Sequence, residues 1–380
     1  MTNFNKKMQS FRKKSEIVGL KFYMWPYWFY YQNKRFKESY WPAFKRSVLK
    51  KSFFRIIGEL LFLTFYWRVL PYHYFRYGLY KKEFSMKEIL HYIPESVVYY
   101  RILPYINSNY FLLDNKNIFE SILKGNTLPH PKTILKIQNG LIFDSNNRII
   151  SSVDDFQKVI YNITSKKLFL KPSDCGSGGK EILIYNKAEK GYLSQNRERL
   201  SFKNLSKKLK NDYILQEGLE NQGFLREIHP NSLNSFRVMT FFDPKKGAKV
   251  IHAILKAGNN KSETDNAHTG GIYVGLNLSN GKLMDKGFDE DLNEFILHPL
   301  TKIDFRNKEI KGFKKMIDLA EKAGNLFPTL TFIGWDIALT KAGPVILEGN
   351  SSPGLTLIQR TYGGLKKFYD LANDYLKNNY

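Results

Sequence analysis

Residues 333–350, with the sequence IGWDIALTKAGPVILEGN, contain two apolar runs on either side of the turn-forming residues 341–343. This pattern predicts two antiparallel strands joined in a hairpin that is centred on Ala342. Asp336 and Glu348 are equidistant from Ala342 in the sequence. Strand pairing therefore predicts that the two carboxylates lie opposite each other.

The opposed carboxylates predict a metal site on one face of this hairpin. Like charges side by side destabilise a strand pair unless a cation neutralises them. Alternation puts Asn350 on the face of Glu348, with Trp335 and Leu347 on the other face. Carboxylate and amide oxygens are the ligands that Mg²⁺ prefers, and nucleotide phosphates commonly complete its shell. The alternative is a solvent-facing polar hairpin, but acidic residues are unusual inside apolar strands. We therefore predict Asp336, Glu348 and Asn350 as metal ligands.

A second candidate site is the glycine-rich segment 172–180 (PSDCGSGGK), which follows a predicted strand ending at Lys171. Glycines let backbone N–H groups approach phosphate oxygens closely, and a lysine adds a positive charge. The spacing is neither that of a Walker A loop nor that of a dinucleotide fingerprint. A mobile surface loop is the alternative. The candidate phosphate-binding residues are Lys171, Ser173, Gly176, Ser177, Gly178 and Gly179.

Residues 215–219 (LQEGL) end a predicted strand in a polar step with a glycine, which could present backbone groups to an adenine edge. The candidates there are Gln216, Glu217 and Leu219, although an ordinary exit from a strand has the same pattern.

Arg237 and Lys256 lie on predicted strands that neighbour the carboxylate hairpin. They are candidates for binding phosphate or an acidic substrate, with ordinary surface charges as the alternative. Residues 265–271 are predicted to form a loop of open role.

The order of these features resembles the ATP-grasp superfamily: a strand lysine, a glycine loop, a polar hinge, a strand arginine, then Asp336, Glu348 and Asn350. The stretch 348–354 (EGNSSPG) is similar to the metal and product loop of D-alanine–D-alanine ligases. Four further segments resemble the sugar-transfer-associated ATP-grasp family, which is related to α-L-glutamate ligases. They are residues 234–237 (NSFR), 265–271 (DNAHTGG), 334–337 (GWDI) and Gln359.

The resemblance implies an α+β ATP-grasp fold, in which two α+β lobes clasp ATP, preceded by a basic, aromatic helical N-terminal region. It implies that Lys116, after a short strand at residues 112–116, binds phosphate with Lys171. It implies two Mg²⁺ ions, which Mn²⁺ can replace, and an oxyanion contact from the backbone of Gly354. One departure is Gly334, where many ligases of the superfamily carry arginine, so Arg237 is predicted to supply that charge.

The composition also predicts contact with an anionic partner, because the chain has a formal net charge of +24. Residues 1–85 carry 18 Lys and Arg against 4 Glu, and four of the five tryptophans. Basic residues among large aromatics are typical of a membrane interface, although packing against the rest of the protein uses them too. Nucleic acid is a weaker alternative, since no nucleic-acid-binding motif is present. A single cysteine and the absence of a secretory signal or long apolar run predict a cytoplasmic protein. The membrane alternative would place it peripherally on the inner face of the membrane.

These observations predict four regions: a basic helical region 1–85, an associated subdomain 86–150, a glycine-loop lobe 151–225 and a metal and substrate lobe 226–380. The predicted function is an ATP-dependent carboxylate–amine ligase that acts through an acyl phosphate. Its expected partners are a small acidic substrate, an amine and a membrane surface or lipid-linked sugar at residues 1–70. The alternatives are a kinase of the same fold and a non-catalytic subunit of a polysaccharide assembly complex.

Overall fold

The computed structural model describes residues 30–173, 182–207, 212–259, 265, 269–291 and 293–379. Residues 30–35 are helical, and Phe36–Tyr40 and Val98–Ile102 form π-helical turns. The α-helices that follow are, in chain order, α1 (Trp41–Arg46), α2 (Phe53–Trp67), α3 (Tyr72–Arg76), α4 (Met86–Ile89), α5 (Glu95–Val97), α6 (Leu103–Ile106), α7 (Phe111–Asp114), α8 (Lys116–Gly125), α9 (Val153–Tyr161), α10 (Phe202–Ser206), α11 (Phe224–Ile228), α12 (Phe313–Asn325), α13 (Thr356–Tyr362) and α14 (Lys366–Asn379).

The strands belong to two antiparallel sheets. They are β1 (Thr133–Gln138), β2 (Leu141–Asp144), β3 (Lys167–Pro172), β4 (Leu183–Ala188), β5 (Gly191–Ser194), β6 (Tyr213–Glu217), β7 (Ser235–Asp243), β8 (Gly247–Ala257), β9 (Ile272–Leu276), β10 (Leu283–Phe288), β11 (Glu294–Phe295), β12 (Phe332–Thr340) and β13 (Gly343–Asn350). The order in the first sheet is β2-β1-β6-β3-β4-β5, and in the second it is β11-β10-β9-β8-β7-β12-β13.

The chain divides into two compact units. The first contains the described residues within 1–108, 291–293 and 354–380, so α13 and α14 belong with α1 to α6. In this unit the Gln359 amide donates to the backbone oxygen of Ile93 (3.0 Å) and accepts from its N–H (2.8 Å). The Trp67 and Tyr369 rings meet edge to face at 5.3 Å. These contacts join the end of the chain to its helical beginning within the first unit, and the predicted division into four regions stays a prediction.

The second unit, residues 109–290 and 294–353, contains both sheets. Alternation along the strands gives each sheet one core face. Leu135, Leu170 and Leu215 of the six-stranded sheet pack with Phe156 of α9. The core of the seven-stranded sheet is larger and includes Trp335 and residues of α8 and α12. The opposite face of each sheet is therefore available for polar side chains.

The strand predicted at residues 112–116 is wrong. Phe111–Asp114 is the short helix α7, and α8 begins at Lys116. Asn115 is the cap between them, since its side-chain oxygen accepts from the N–H groups of Asn117 and Ile118, both at 3.1 Å. An asparagine before an amphipathic run is a helix-start signal, and it outweighs the apolar pair that suggested a strand.

No helix within the described ranges is both long enough and apolar enough to cross a membrane.

Candidate functional site

The hairpin of β12 and β13 pairs Asp336 with Glu348 and Gly334 with Asn350, as predicted. The turn that produces this pairing is not the predicted one. Thr340 pairs with Gly343, so the turn consists of Lys341 and Ala342 and is centred between them rather than on Ala342. This register alone would place Asp336 opposite residue 347.

An irregularity between Asp336 and Ile337 corrects the register by one residue. Ile337 pairs with Ile346 and Asp336 with Glu348, so Leu347 is the extra residue of a bulge on β13. The prediction that Leu347 lies on the face away from Glu348 is wrong, since both residues line one cavity. The bulge breaks the strict alternation on which that prediction rested and aligns the two carboxylates.

Asp336 is the centre of a buried cluster of charges on the seven-stranded sheet. Arg237 of β7 is its direct cross-strand neighbour, and it binds both carboxylate oxygens, with a distance of 3.1 Å from Nη2 to Oδ2. Lys256 of β8 donates from Nζ to Oδ2 at 2.9 Å. Burial alone would raise the pKa of Asp336, but the two cations hold it well below its ordinary value. Asp336 is therefore ionised throughout the physiological pH range.

Glu348 and Asn350 complete the predicted ligand set. Burial, followed by the charge of Asp336, raises the pKa of Glu348 above its usual value. The Asn350 amide nitrogen donates to the backbone oxygen of Gly334 (3.2 Å) and to Glu348 Oε1 (3.4 Å). The prediction that Asn350 shares the face of Glu348 agrees with this contact. Burial and the neighbouring charge of Asp336 both disfavour the charged form of Glu348, and a divalent cation bound by the two carboxylates would favour it.

Within the described ranges, no group of three or more His, Cys, Asp and Glu side chains is arranged to hold a metal ion. The protein's donors at this hairpin are two carboxylates and one amide oxygen. That set is incomplete for a structural metal site but fits Mg²⁺, which keeps positions for water and phosphate oxygens. The residues present therefore fit the predicted ion.

Asp265 is a member of the charge cluster that the sequence did not identify. Its Oδ2 accepts from the backbone N–H of Ser235 at 3.0 Å and from the Ser235 hydroxyl at 2.5 Å. Its Oδ1 lies 3.5 Å from Lys256 Nζ, so Lys256 is shared between two carboxylates. Burial would lower the pKa of Lys256, and Asp265 and Asp336 together raise it above its ordinary value. Asp265 holds Lys256 charged and in place.

A small cavity lies beside the hairpin within the second unit. Its charged and polar lining includes Lys116, Lys171, Gln216 and Glu348. Its apolar lining consists of Phe119, Leu123, Pro131, Ile346 and Leu347. An apolar wall with cations and a carboxylate at the edge suits a nucleotide, whose base is flat and whose phosphates are anionic. Four residues from four separate predicted segments therefore meet at one cavity.

Lys171 begins a continuous chain of hydrogen bonds along the wall of this cavity. Its Nζ donates to Gln216 Oε1 (3.4 Å), and Gln216 Nε2 donates to Thr133 Oγ1 (3.2 Å). The Thr133 hydroxyl donates to Glu120 Oε2 (2.6 Å). Burial lowers the pKa of Lys171, and Lys116 lowers it further, while Glu348 opposes both. Because two lysines share this site, an anion bound there would relieve their repulsion.

The start of α8 brings Lys116 to the end of β3. The Lys116 N–H donates to the backbone oxygen of Ser173 at 2.7 Å. The Ser173 hydroxyl is fully buried and has no hydrogen-bond partner among the residues that the structure describes. A buried donor with no partner next to two lysines is compatible with the predicted phosphate role, since unpaired buried hydroxyls are uncommon. Gly176, Ser177, Gly178 and Gly179 lie outside the described residues.

The predicted adenine segment is only partly available. The N–H of Glu217 donates to the backbone oxygen of Lys132 (2.9 Å), and that of Gly218 donates to Lys167 (2.8 Å). Both backbone donors are therefore used within the protein. A Cβ at position 218 would lie 2.9 Å from the Lys167 oxygen, so this glycine permits close packing. Glu217 and Leu219 are absent from the cavity lining, whereas Gln216 is part of it.

Gly334 explains why Arg237 can reach Asp336. A Cβ at position 334 would lie 2.7 Å from the Pro353 Cβ and 3.1 Å from the Arg237 Cδ. The Arg237 side chain thus fills the space beside Gly334, which agrees with its predicted role as the replacement arginine. Gly354, the third predicted catalytic residue, belongs to the first unit, and its role stays a prediction.

A sequence model of the sugar-transfer associated ATP-grasp family matches residues 98–368. The chain belongs to this family. The predicted α+β class and ATP-grasp fold are thereby confirmed. No match to the sequence was found among the curated proteins that were compared.

Solved structures with detectable similarity include the D-alanine–D-alanine ligase of Coxiella burnetii, at 9% identity and TM-score 0.40, over 69% of this chain and 57% of that one. The ATP-grasp ligase PsnB, complexed with a phosphomimetic precursor variant, Mg and ADP, has 14% identity and TM-score 0.40, over 71% and 60%. The carboxyaminoimidazole ribonucleotide synthase of Aspergillus clavatus, complexed with ATP, has 12% identity and TM-score 0.37, over 63% and 44%. The chain thus covers between 44% and 60% of the lengths of these structures.

Proposed function

We propose that this chain is an ATP-dependent carboxylate–amine ligase. The observation that carries the proposal is the pairing of the buried Asp336 with the half-buried Glu348, which a bulge aligns beside Arg237, Lys256 and the cavity. Burying charged side chains costs free energy, because each charge loses its hydration. A paired-carboxylate hairpin among cations is therefore best explained by a ligand that it binds. Membership of an ATP-grasp family indicates that the nucleotide is ATP.

The proposed chemistry activates a carboxylate as an acyl phosphate, which an amine then attacks with loss of phosphate. Asp336, Glu348 and Asn350 would hold Mg²⁺, which when bound neutralises phosphate oxygens and aligns them for in-line transfer. Lys116 and Lys171 would bind the nucleotide phosphates at the cavity. Mn²⁺ has the same preference for oxygen ligands and is proposed to replace Mg²⁺.

Arg237 and Lys256 are the proposed electrostatic partners of the transferred phosphoryl group. Both are held charged by Asp336, and Lys256 also by Asp265. Fixed charges in a water-poor site stabilise a transition state without having to reorganise. Gly354 is proposed to donate its backbone N–H to the oxyanion formed when the amine attacks.

The proposed substrates are an acidic sugar or amino acid and an amine, joined in the cytoplasm during bacterial polysaccharide synthesis such as capsule formation. The family description and the net charge of +24 support an anionic, sugar-containing substrate. The alternative is a sugar kinase of the same fold, and the following experiment distinguishes it from a ligase.

The test is ADP release by the purified chain with Mg²⁺-ATP, a panel of UDP-uronic acids and mixed amino acids. A ligase requires both an acid and an amine, whereas ADP release with one sugar alone would show a kinase. The double variant Asp336→Ala, Glu348→Ala is expected to lose activity. The matched control is Asp318→Ala on the exposed face of α12, which is expected to retain it.

A further inference from the structure

We propose that helix α2 docks this protein on an anionic lipid surface, lying flat in the interface with its outward face among the lipids. The inference goes beyond the proposed ligase activity and uses no residue of the nucleotide cavity or the carboxylate hairpin. It rests on the orientation of α2, on the size of its exposed apolar face and on the cations around it.

The outward face of α2 is apolar along its whole length. Phe54 is 86% exposed, Leu61 55% and Phe65 77%, and Ile57 and Phe62 are exposed beside them. These positions, with Gly58, recur every three or four residues, which is the spacing of one face of a helix. A surface helix normally turns such a stripe toward the core. In α2 the stripe faces out.

The inward face of α2 contains the helix's only acidic residue, Glu59, which fixes this orientation. Its carboxylate accepts from Lys51 Nζ at 2.9 and 3.1 Å, from Arg55 Nε at 3.0 Å and from the Tyr74 hydroxyl at 2.6 Å. Glu59 and Lys51 are both buried. Rotating the helix to hide its aromatic face would break this network and expose the buried residues Ile56 and Leu63.

The exposed area is large for a surface patch. Taking roughly 200 Å² for a full aromatic side chain, the five outward residues present on the order of 500 Å² of apolar surface. Val48 and Leu49, which precede the helix, and Leu70, which follows it, are also exposed. A continuous apolar surface of this size typically marks a membrane or protein interaction site.

Lysine and arginine residues flank α2 in the sequence on both sides. Lys45, Arg46 and Lys50 precede α2, and the backbone of Lys50 bridges to that of Lys81. Arg68 is the exposed C-terminal cap of the helix. The Trp41 ring, over which the Lys45 ammonium lies at 5.6 Å, is partly exposed beside them. Lysine and arginine around an apolar face, with tryptophan at the rim, match the headgroup level of an anionic bilayer.

The charge selects lipid over a second copy of the chain. In a two-fold dimer across α2, the cations of one copy would lie close to those of the other, because such an interface is self-complementary. Anionic lipid neutralises the same cations. The helix has 15 residues, so it is shorter than a spanning segment and is expected to lie parallel to the surface.

The test is co-sedimentation of the full chain with phosphatidylcholine vesicles, with and without phosphatidylglycerol. Binding is expected only with phosphatidylglycerol, and it should weaken at high salt because exposed charges are screened. The variant Phe54→Asp, Phe65→Asp is expected to reduce binding by about tenfold or more, since it places charge in the apolar face. The matched control is Val153→Asp, Tyr161→Asp on α9, where both residues are exposed.

Three results would overturn the proposal. They are no sedimentation of the wild type with phosphatidylglycerol vesicles, equal binding by the α2 and α9 variants, and a wild-type dimer that the α2 variant converts to monomer without any lipid binding. The α2 variant is expected to keep its ADP release with soluble substrates, because neither position belongs to the candidate site. Lipid binding without ADP release would leave this inference standing and remove the proposed ligase.

Discussion

The charged face of the seven-stranded sheet and the outward face of α2 depart from the usual distribution of residues in opposite directions. On the sheet, Asp336 and Lys256 are charged and buried, whereas on α2, Phe54 and Phe65 are apolar and exposed. Buried charges are tolerated when they are paired with opposite charges. A large exposed apolar face is typical of a surface that binds a membrane or another protein. We propose that the difference reflects two ligands, an anionic phosphate at the sheet and lipid at α2.

The largest expected effect comes from removing the centre of the buried charges. Asp336→Ala removes the carboxylate that Arg237 and Lys256 share, and leaves Asp265 as the remaining partner of Lys256 only. We expect a loss of about 3–5 kcal/mol in the free energy of unfolding, and a loss of ADP release of about 10³-fold. Urea denaturation and the ADP assay measure the two effects. A variant that unfolds like the wild type would show that the charges are not coupled as described.

The buried ion pair that orients α2 is expected to have a similar but smaller effect. Glu59→Gln removes the charge that faces Lys51, and we expect a loss of about 3 kcal/mol in unfolding free energy. The matched control is Asp370→Asn, whose partner Lys366 lies 2.6 Å away with both side chains about half exposed. That exposed pair should change stability by less than about 1 kcal/mol. Equal losses in the two variants would contradict the assignment of Glu59 as an internal anchor.

His73 of α3 extends the comparison to a buried polar side chain in the first unit. Burial lowers the pKa of His73 from 6.5 to about 3, and neither ring nitrogen has a hydrogen-bond partner in the described structure. The unfolded chain therefore takes up the proton first as pH falls. Stability is fully present above about pH 6.5 and falls by roughly 1.4 kcal/mol per unit toward pH 3.

The measurement is urea denaturation at pH 7 and pH 5, with His73→Leu as the comparison. The wild type is expected to lose about 2 kcal/mol between these values. The variant should lose less, because an apolar side chain does not titrate. The same pH dependence in both proteins would show that another group is responsible.

Two glycines give the smallest expected effects, in opposite directions. Gly334→Ala puts a Cβ 2.7 Å from Pro353 in the charged site, so we expect a loss of about 1–3 kcal/mol. Gly58 lies on the exposed face of α2 with nothing within 4 Å of the added atom. Gly58→Ala should therefore stabilise the helix by about 0.5–1 kcal/mol. Thermal unfolding of both variants checks the signs, and a stabilised Gly334→Ala would show that the site is less crowded than described.

The sequence was most informative where periodicity and turn residues agree. Most of the strands and the pairing of Asp336 with Glu348 were predictable in this way, whereas a shared site for Lys171 and Gln216 was implied only by the family resemblance. The bulge at Leu347 was not, because an extra residue in a strand leaves no compositional trace, and its effect on register cancelled the error in the turn position. Asp265 was missed as a site residue because its partners Lys256 and Ser235 are distant in sequence.

The sequence also does not predict which face of α2 points toward the core and which points outward. Residues 53–67 are apolar on almost every side, so periodicity does not distinguish the core face from the outer face. Glu59 decides the orientation, and its partner Tyr74 lies on a different helix. The association of α13 and α14 with the first unit depends in the same way on contacts between distant residues, such as Gln359 with Ile93.

The central claim is that this protein activates a carboxylate by phosphorylation, and trapping with hydroxylamine tests it most directly. Wild-type protein, Mg²⁺-ATP and a UDP-uronic acid are incubated with hydroxylamine in place of the amine, beside the variant Asp336→Ala, Glu348→Ala. The ligase account predicts that ADP and a hydroxamate of the acid form together with the wild type and that the variant forms neither. ADP release without hydroxamate, in the presence of a stable phosphorylated sugar, would contradict it and establish a kinase.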